Sequence, residues 1–317
     1  MKMLVGTGIG HGTIGSRRQL FLLPSATRAR SQFNPSISIK LPPQFQSQLQ
    51  LQSSTNQTLT VVSALGDGGI DGETERSSPI EVKKEIQRCY QLVHRLGRGA
   101  LYIGSSRVKP DHPHYLLTLE LSREVAKMLD CTTWTGAGPG LMDAAIKGAL
   151  QAKKPVGGFK IGKEAGEWTS SNFHPYLPPD TYFTCRFFSA RKHGLVDAVV
   201  RNDPSERTAV VALPGGIGTV DEIFEILALI QLERIGSKFP VPFLLLNYDG
   251  YYTKLMEFLD VCEQWGTVAR GEVDSLWTVC NSNFEALEFL AEFYGISECK
   301  RNYDIGKYVN QGTGSYI

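Results

Sequence analysis

The chain has 317 residues, 42% apolar and 21% charged, a balance typical of globular proteins. No stretch approaches the roughly 20 apolar residues of a membrane-spanning helix, and a formal net charge of +1 argues against a nucleic-acid binder held by a broad basic face. That charge is unevenly spread: residues 1–66 hold six Lys/Arg and no Asp/Glu, leaving 33 − 6 = 27 basic against 32 acidic residues in 67–317.

The acid-free, Ser-rich segment 1–66, with Arg17, Arg18, Arg28 and Arg30 and a Gln-rich run from Gln44 to Gln52, has the composition of an organelle transit peptide. It predicts delivery to the chloroplast in preference to the mitochondrion; a disordered basic tail is the alternative. Residues 67–79 read as a Gly-rich linker. A single domain is expected over 80–298. Residues 299–317, poor in aliphatics, read as a flexible tail.

Within that domain, Val82, Ile86, Cys89, Tyr90 and Val93 follow helical spacing and Gly97 can end the helix. The run Leu101-Tyr102-Ile103 reads as a strand, 115–129 as a helix and Thr132–Thr135 as a strand. Helix 139–152, strand 155–161 and a helix near 184–197 come next. Strand 209–213, helix 219–234, strand 241–246, helix 251–264, strand 276–280 and helix 283–294 complete the series. Short continuous apolar strands separated by helices predict an α/β fold, a doubly wound, mostly parallel, Rossmann-like sheet in one domain. The six cysteines show no CxxC pair and the six histidines no HExxH spacing, so neither a metal nor a disulfide framework is predicted. No cofactor is implied.

Such sheets bind ligands at the carboxyl ends of their strands. The sharper of two Gly-rich junctions is Leu213-Pro214-Gly215-Gly216-Ile217-Gly218-Thr219-Val220-Asp221-Glu222. Its glycines admit a ligand close to the backbone, and a following helix N-terminus offers free N–H groups, a combination suited to phosphate. It is neither a Walker A loop nor a GxGxxG. Thr219 and Glu222 also fit a Thr-x-x-Glu capping box, so from spacing alone Glu222 is either a cap or a site residue. Asp221, on a diverging direction, is expected in solvent. The second junction is Thr135-Gly136-Ala137-Gly138-Pro139-Gly140-Leu141-Met142, and Gly104-Ser105-Ser106 adds small polar groups after the first strand. On helix 184–197, Arg191 and Lys192 fall within about 60° of the apolar direction set by Phe188, Leu195 and Val199. Buried cations need an anionic partner, so a phosphorylated small molecule is one reading and snorkelling is the other.

Taken together these residues resemble the LONELY GUY family of cytokinin riboside 5′-monophosphate phosphoribohydrolases, often labelled lysine decarboxylases. The resemblance rests on Pro214 to Glu222 as PGGxGTxxE, on Arg191-Lys192, on Tyr102 to Ser106, on the turn 138–142 and on Asn247 to Tyr252. It covers roughly residues 100–265. It implies hydrolysis of the N-glycosidic bond of a nucleoside 5′-monophosphate, with Glu222 and Arg191 catalytic. It further implies that Gly215, Gly216, Gly218 and Thr219 hold the phosphate, and that Ser105, Gly138, Met142 and Lys192 belong to the substrate pocket. A homodimer is implied as well; no nucleic-acid or membrane partner is. Departures concern the base: Phe188-Ser189-Ala190 stands where the family has Met-His-x, and Thr181, beside Asp180, stands at the position of an acidic contact. AMP, GMP or a pyrimidine nucleotide therefore stays open beside a cytokinin nucleotide. The competing readings are a non-catalytic nucleotide carrier on the same fold and, more remotely, an NAD-dependent oxidoreductase without the GxGxxG that fold requires.

Overall fold

Seven strands pair side by side in one wholly parallel sheet of a computed structural model that describes residues 79–162, 175 and 177–306. The expected transit peptide, the linker before Pro79 and the tail beyond residue 306 lie outside the described residues. The strands are β1 (Gly99–Ile103), β2 (Thr132–Thr135), β3 (Val156–Ile161), β4 (Tyr182–Cys185), β5 (Ala209–Ala212), β6 (Phe243–Leu246) and β7 (Thr278–Cys280). Their spatial order is β4-β3-β2-β1-β5-β6-β7. The central strand β1 thus pairs with β2 on one edge, Ala100 opposite Thr133, and with β5 on the other, Ala100 opposite Ala209. The direction of winding reverses between β1 and β5, which makes the crevice above their carboxyl ends the topological switch point.

Helices cover both faces, as the continuous burial of β1, β2, β5 and β6 requires. They are α1 (Pro79–Leu96), α2 (Pro113–Leu129), α3 (Leu141–Gln151), α4 (Phe188–Asp197), α5 (Ile217–Gln231), α6 (Thr253–Gln264), α7 (Glu272–Leu276) and α8 (Asn283–Phe293). Alternation along the strands divides the core. Tyr102, Val211 and Leu246 face α2, α3 and α8 through Leu121, Ala144 and Leu287. Leu101, Val210 and Leu245 face α1, α4 and α5 through Val93, Leu195 and Ile223. Between α1 and β4, the buried thiols of Cys89 and Cys185 lie 3.6 Å apart. After α8 the chain turns back, with Tyr303 and Ile305 packed on the first of these cores and the Gly306 N–H bonded to Glu120 at 2.8 Å.

Three local expectations are corrected. The segment expected to open a helix at 184 instead forms β4, and α4 begins at Phe188; four residues alternating aromatic, aromatic, β-branched and Cys favour an extended edge strand. The stretch read as a strand from 276 begins with the short helix α7 and pairs with β6 only from Thr278. Finally, α5 starts at Ile217 with Gly216 as N-cap, so Thr219 sits in the first turn and forms no capping box with Glu222. The capping arrangement is found instead at α8: Ser282 accepts the Glu285 N–H at 3.2 Å while the Glu285 carboxylate accepts the Asn281 N–H at 2.8 Å.

Candidate functional site

Above the switch point lies a cavity of about 450 Å³, a size suited to a small metabolite. Among the described residues its wall is Gly104, Ser105, Ser106 and Arg107 after β1, Met142 on α3, Phe188 and Arg191 on α4, and Gly216, Ile217, Gly218, Thr219 and Glu222 on α5. Three loops are tied together beneath it. The Ser105 N–H donates to the Pro214 carbonyl at 3.0 Å, and the Leu141 N–H donates to the Ser105 carbonyl at 2.9 Å. Gly140 makes that second contact possible: its φ is +72°, and a Cβ there would lie 2.4 Å from the Ser105 oxygen. From the far side, Tyr252 donates its hydroxyl to the Leu213 carbonyl at 2.6 Å and Tyr251 to the Gly215 carbonyl at 2.9 Å.

The rim is the amino end of α5. Its N-cap is a glycine with no side-chain capping bond, so the first-turn N–H groups have no side-chain acceptor and carry the positive end of the helix dipole. Gly216 and Gly218 are exposed, and a Cβ on either would meet nothing within 4 Å. The fold therefore does not require glycine there; what the missing side chains leave is open space beside N–H donors, where an anion fits. Arg107 adds an exposed cation to the same wall.

The floor is an ion pair. Arg191 and Glu222, with side chains 3% and 9% exposed, are joined through Nη1 and Oε1. Arg191 Nε also donates to the Phe159 carbonyl of β3 at 2.9 Å. The guanidinium lies directly over Gly136 at the end of β2: a Cβ there would fall 1.9 Å from Nη2. The helix carrying Arg191 is anchored from α1, where the Glu85 carboxylate accepts the N–H groups of Arg186 and Phe187 at 3.0–3.1 Å.

Of the residues singled out from sequence, Glu222, Arg191, Ser105, Met142, Gly216, Gly218 and Thr219 meet at this cavity. Gly138, Gly215 and Lys192 are not part of its wall. Gly138 is buried in the turn before α3. Gly215 is buried under Thr219, whose Oγ1 would lie 2.2 Å from a Cβ at 215. Lys192 is turned toward α5, pairing with Asp221 at 3.1 Å and Glu225 at 2.7 Å. Asp221 is exposed, as its direction on the helix implied, but it has this partner. Sequence reasoning passed over Arg107, whose signal was a cation directly after Gly-Ser-Ser. It also passed over the part of Gly136, visible only once Arg191 is placed.

The switch point of this parallel α/β sheet thus brings together an open helix N-terminus suited to an anion and a buried Arg–Glu ion pair. Residues 142–290 match the family model described as "Possible lysine decarboxylase". The chain is 45% identical over 64 residues to a probable cytokinin riboside 5′-monophosphate phosphoribohydrolase of Oryza sativa subsp. japonica, covering 20% of this chain and 24% of that one. It is 43% identical over 61 residues to a cytokinin riboside 5′-monophosphate phosphoribohydrolase of Arabidopsis thaliana, 19% and 26% of the two chains. These alignments span about a quarter of the length of those relatives. A solved structure of the molybdenum cofactor carrier protein of Chlamydomonas reinhardtii is similar with a TM-score of 0.40 and 18% identity, over 63% of this chain and 99% of that one. Over residues 142–290 this chain is thus similar to the LONELY GUY family, by the family match and the names of its plant relatives.

Proposed function

We propose that this protein hydrolyses the N-glycosidic bond of a nucleoside 5′-monophosphate, releasing the free base and ribose 5-phosphate. The observation that carries the reading is the buried Arg191–Glu222 pair, set in one cavity with the open end of α5. From Ile217 to Glu222 is five residues, about 7.5 Å along a helix axis, which matches a phosphorylated pentose lying along it. With the 5′-phosphate on the N–H groups of Ile217, Gly218 and Thr219, the anomeric carbon comes to the carboxylate.

Breaking the C1′–N bond builds positive charge on the sugar, as in other glycoside hydrolyses. Glu222 opposes that charge and orients the water whose oxygen bonds to C1′, while the water's proton ends on the departing base. Arg191 fixes the carboxylate and is itself fixed by the Phe159 carbonyl. A cytokinin riboside 5′-monophosphate, the substrate in the relatives' names, is the first base to test. Among the described residues the wall holds no lysine, the amine that pyridoxal-dependent decarboxylation uses. The same reading includes a homodimer, for which exposed Leu232, Phe258 and Trp265 supply apolar surface; sedimentation velocity tests it.

The test is incubation of the full chain with a panel of nucleoside monophosphates, including an isopentenyladenine ribotide, with base and ribose 5-phosphate quantified by chromatography. Release of both in equal amounts is expected, and Glu222→Gln should reduce it at least about a hundredfold. Nucleotide binding with no release from any member of the panel would make the protein a carrier.

A further inference from the structure

The loop between β6 and α6 grips the anion-binding turn from outside the cavity. Asn247 sets its shape: its carbonyl accepts the Gly250 N–H at 3.1 Å and its side-chain oxygen accepts the Tyr252 N–H at 2.7 Å. Tyr251 and Tyr252 then stand edge to face, ring centres 5.0 Å apart. Their hydroxyls donate to the carbonyls of Gly215 and Leu213 respectively. The Pro214 carbonyl is held by the Ser105 N–H and the Gly216 carbonyl by the Val220 N–H. All four carbonyls from Leu213 to Gly216 are therefore engaged.

A trans peptide points its carbonyl and the following N–H in opposite directions, so whatever holds the one aims the other. At Leu213 this has no further effect, because Pro214 follows and has no N–H. At Gly215 the donor that follows is the Gly216 N–H, exposed at the cavity wall and engaged by no acceptor among the described residues. That peptide unit is also the freest of the four to turn over, since it alone lies between two glycines. Turned over, it would offer an anion a carbonyl oxygen in place of a donor. Tyr251, half exposed, stands outside the cavity wall, so it can act on the ligand only through this peptide. Resting on the phosphate placement proposed for α5, we infer that Tyr251 is a positioning residue whose hydroxyl locks the Gly215–Gly216 peptide with its carbonyl turned away from the cavity and the Gly216 N–H turned toward the phosphate. Tyr252, 2% exposed, supports the end of β5 and aims no donor.

Titration calorimetry of the full chain with ribose 5-phosphate, paired with urea unfolding, separates the two hydroxyls. Tyr251→Phe should weaken ribose 5-phosphate about three- to tenfold, because the binding-competent peptide orientation loses its bias, while the urea midpoint moves little. Tyr252→Phe should do the reverse, lowering the midpoint by stranding a buried carbonyl and leaving affinity within about twofold. In the unaltered chain labelled with 15N-glycine, ribose 5-phosphate should shift the amide resonances of both Gly216 and Gly218, each identified by its loss in the alanine variant. Affinity within twofold for Tyr251→Phe, or equal losses of affinity in the two tyrosine variants, overturns the role given to Tyr251. A shift at Gly218 without one at Gly216 also overturns it, while the phosphate stays at α5. No shift at either glycine refutes the phosphate placement itself, and the inference with it.

Discussion

Gly136→Ala is the sharpest perturbation the site offers, because the methyl group it adds has a single main obstacle. The new Cβ would lie 1.9 Å from Arg191 Nη2 and 3.0 Å from Met142 Sδ, so the guanidinium must move. Arg191 is held by its bond to the Phe159 carbonyl at 2.9 Å and by Glu222, and moving it sacrifices at least one of these. A hydrogen bond to a charged group contributes about 1.5–3 kcal/mol, and removing a buried ion's partner outright costs about 3–5 kcal/mol. A shifted partner falls between no change and full removal, so we expect a loss of about 2–3 kcal/mol. Turnover should fall at least about tenfold, since Glu222 is no longer fixed. Urea unfolding of the full chain, followed by circular dichroism, measures this for Gly136→Ala, Arg191→Ala and the double variant. With Arg191 truncated the clash disappears, so the added methyl should become nearly neutral and the coupling energy should be about 2 kcal/mol. Additivity of the two single effects within about 0.5 kcal/mol would refute the view that residue 136 is a glycine to admit the guanidinium.

Other outcomes follow from the same geometry. Gly218→Ala puts a methyl into open space, so stability should hold or rise by up to about 1 kcal/mol while ribose 5-phosphate affinity drops at least about tenfold. Unchanged affinity by calorimetry would move the phosphate away from α5. Lys192→Met removes a partly exposed pair and should cost under about 1 kcal/mol, with kcat and KM changed less than about threefold in steady-state assays. A tenfold loss of activity would bring Lys192 back to the substrate. Burial holds the Asp143 carboxyl above its usual value of 3.8, against the pull of Tyr115 and Lys147. The folded state therefore binds this proton more tightly, and the associated stability is full below 3.8 and lost as pH rises through the folded value. Urea midpoints of Asp143→Asn should accordingly decline less than those of the unaltered protein as pH rises from about 4 to 7; parallel curves would count against it.

The strands of the buried centre were legible because parallel strands covered on both faces leave continuous apolar runs, as at Ala209–Ala212 and Phe243–Leu246. The edge was not: β4 is half-exposed, aromatic and only four residues long, so nothing in its pattern distinguished it from the loop before it or the helix after it. The start of α5 was misplaced because a Gly N-cap carries no side chain to announce it, whereas Thr-x-x-Glu two residues later imitates one. Helical phase placed Arg191 on the buried side of α4 correctly. The same phase could not separate it from Lys192, whose direction is set by Asp221 and Glu225 on another helix. Which anion satisfies a buried cation is a tertiary fact, and Glu222 lies 31 positions from Arg191.

The place of β1 in the middle of the sheet has a consequence for how the protein is made. Its first neighbour follows closely, Thr133 opposite Ala100, but its second, Ala209, is encoded 209 − 100 = 109 residues later. At a synthesis rate of about 5–20 residues per second, that strand leaves the ribosome roughly 5–20 s after β1. Throughout that interval one edge of this fully buried central strand has no partner, and an unpaired apolar edge is a template for wrong pairing. The topology that gathers the proposed site residues at a switch point thus also delays closure there, because long-range parallel pairing must bear its loop-closure entropy first. A nascent chain halted before Gly216 would hold every residue of the cavity up to Arg191 and still lack the helix that completes it.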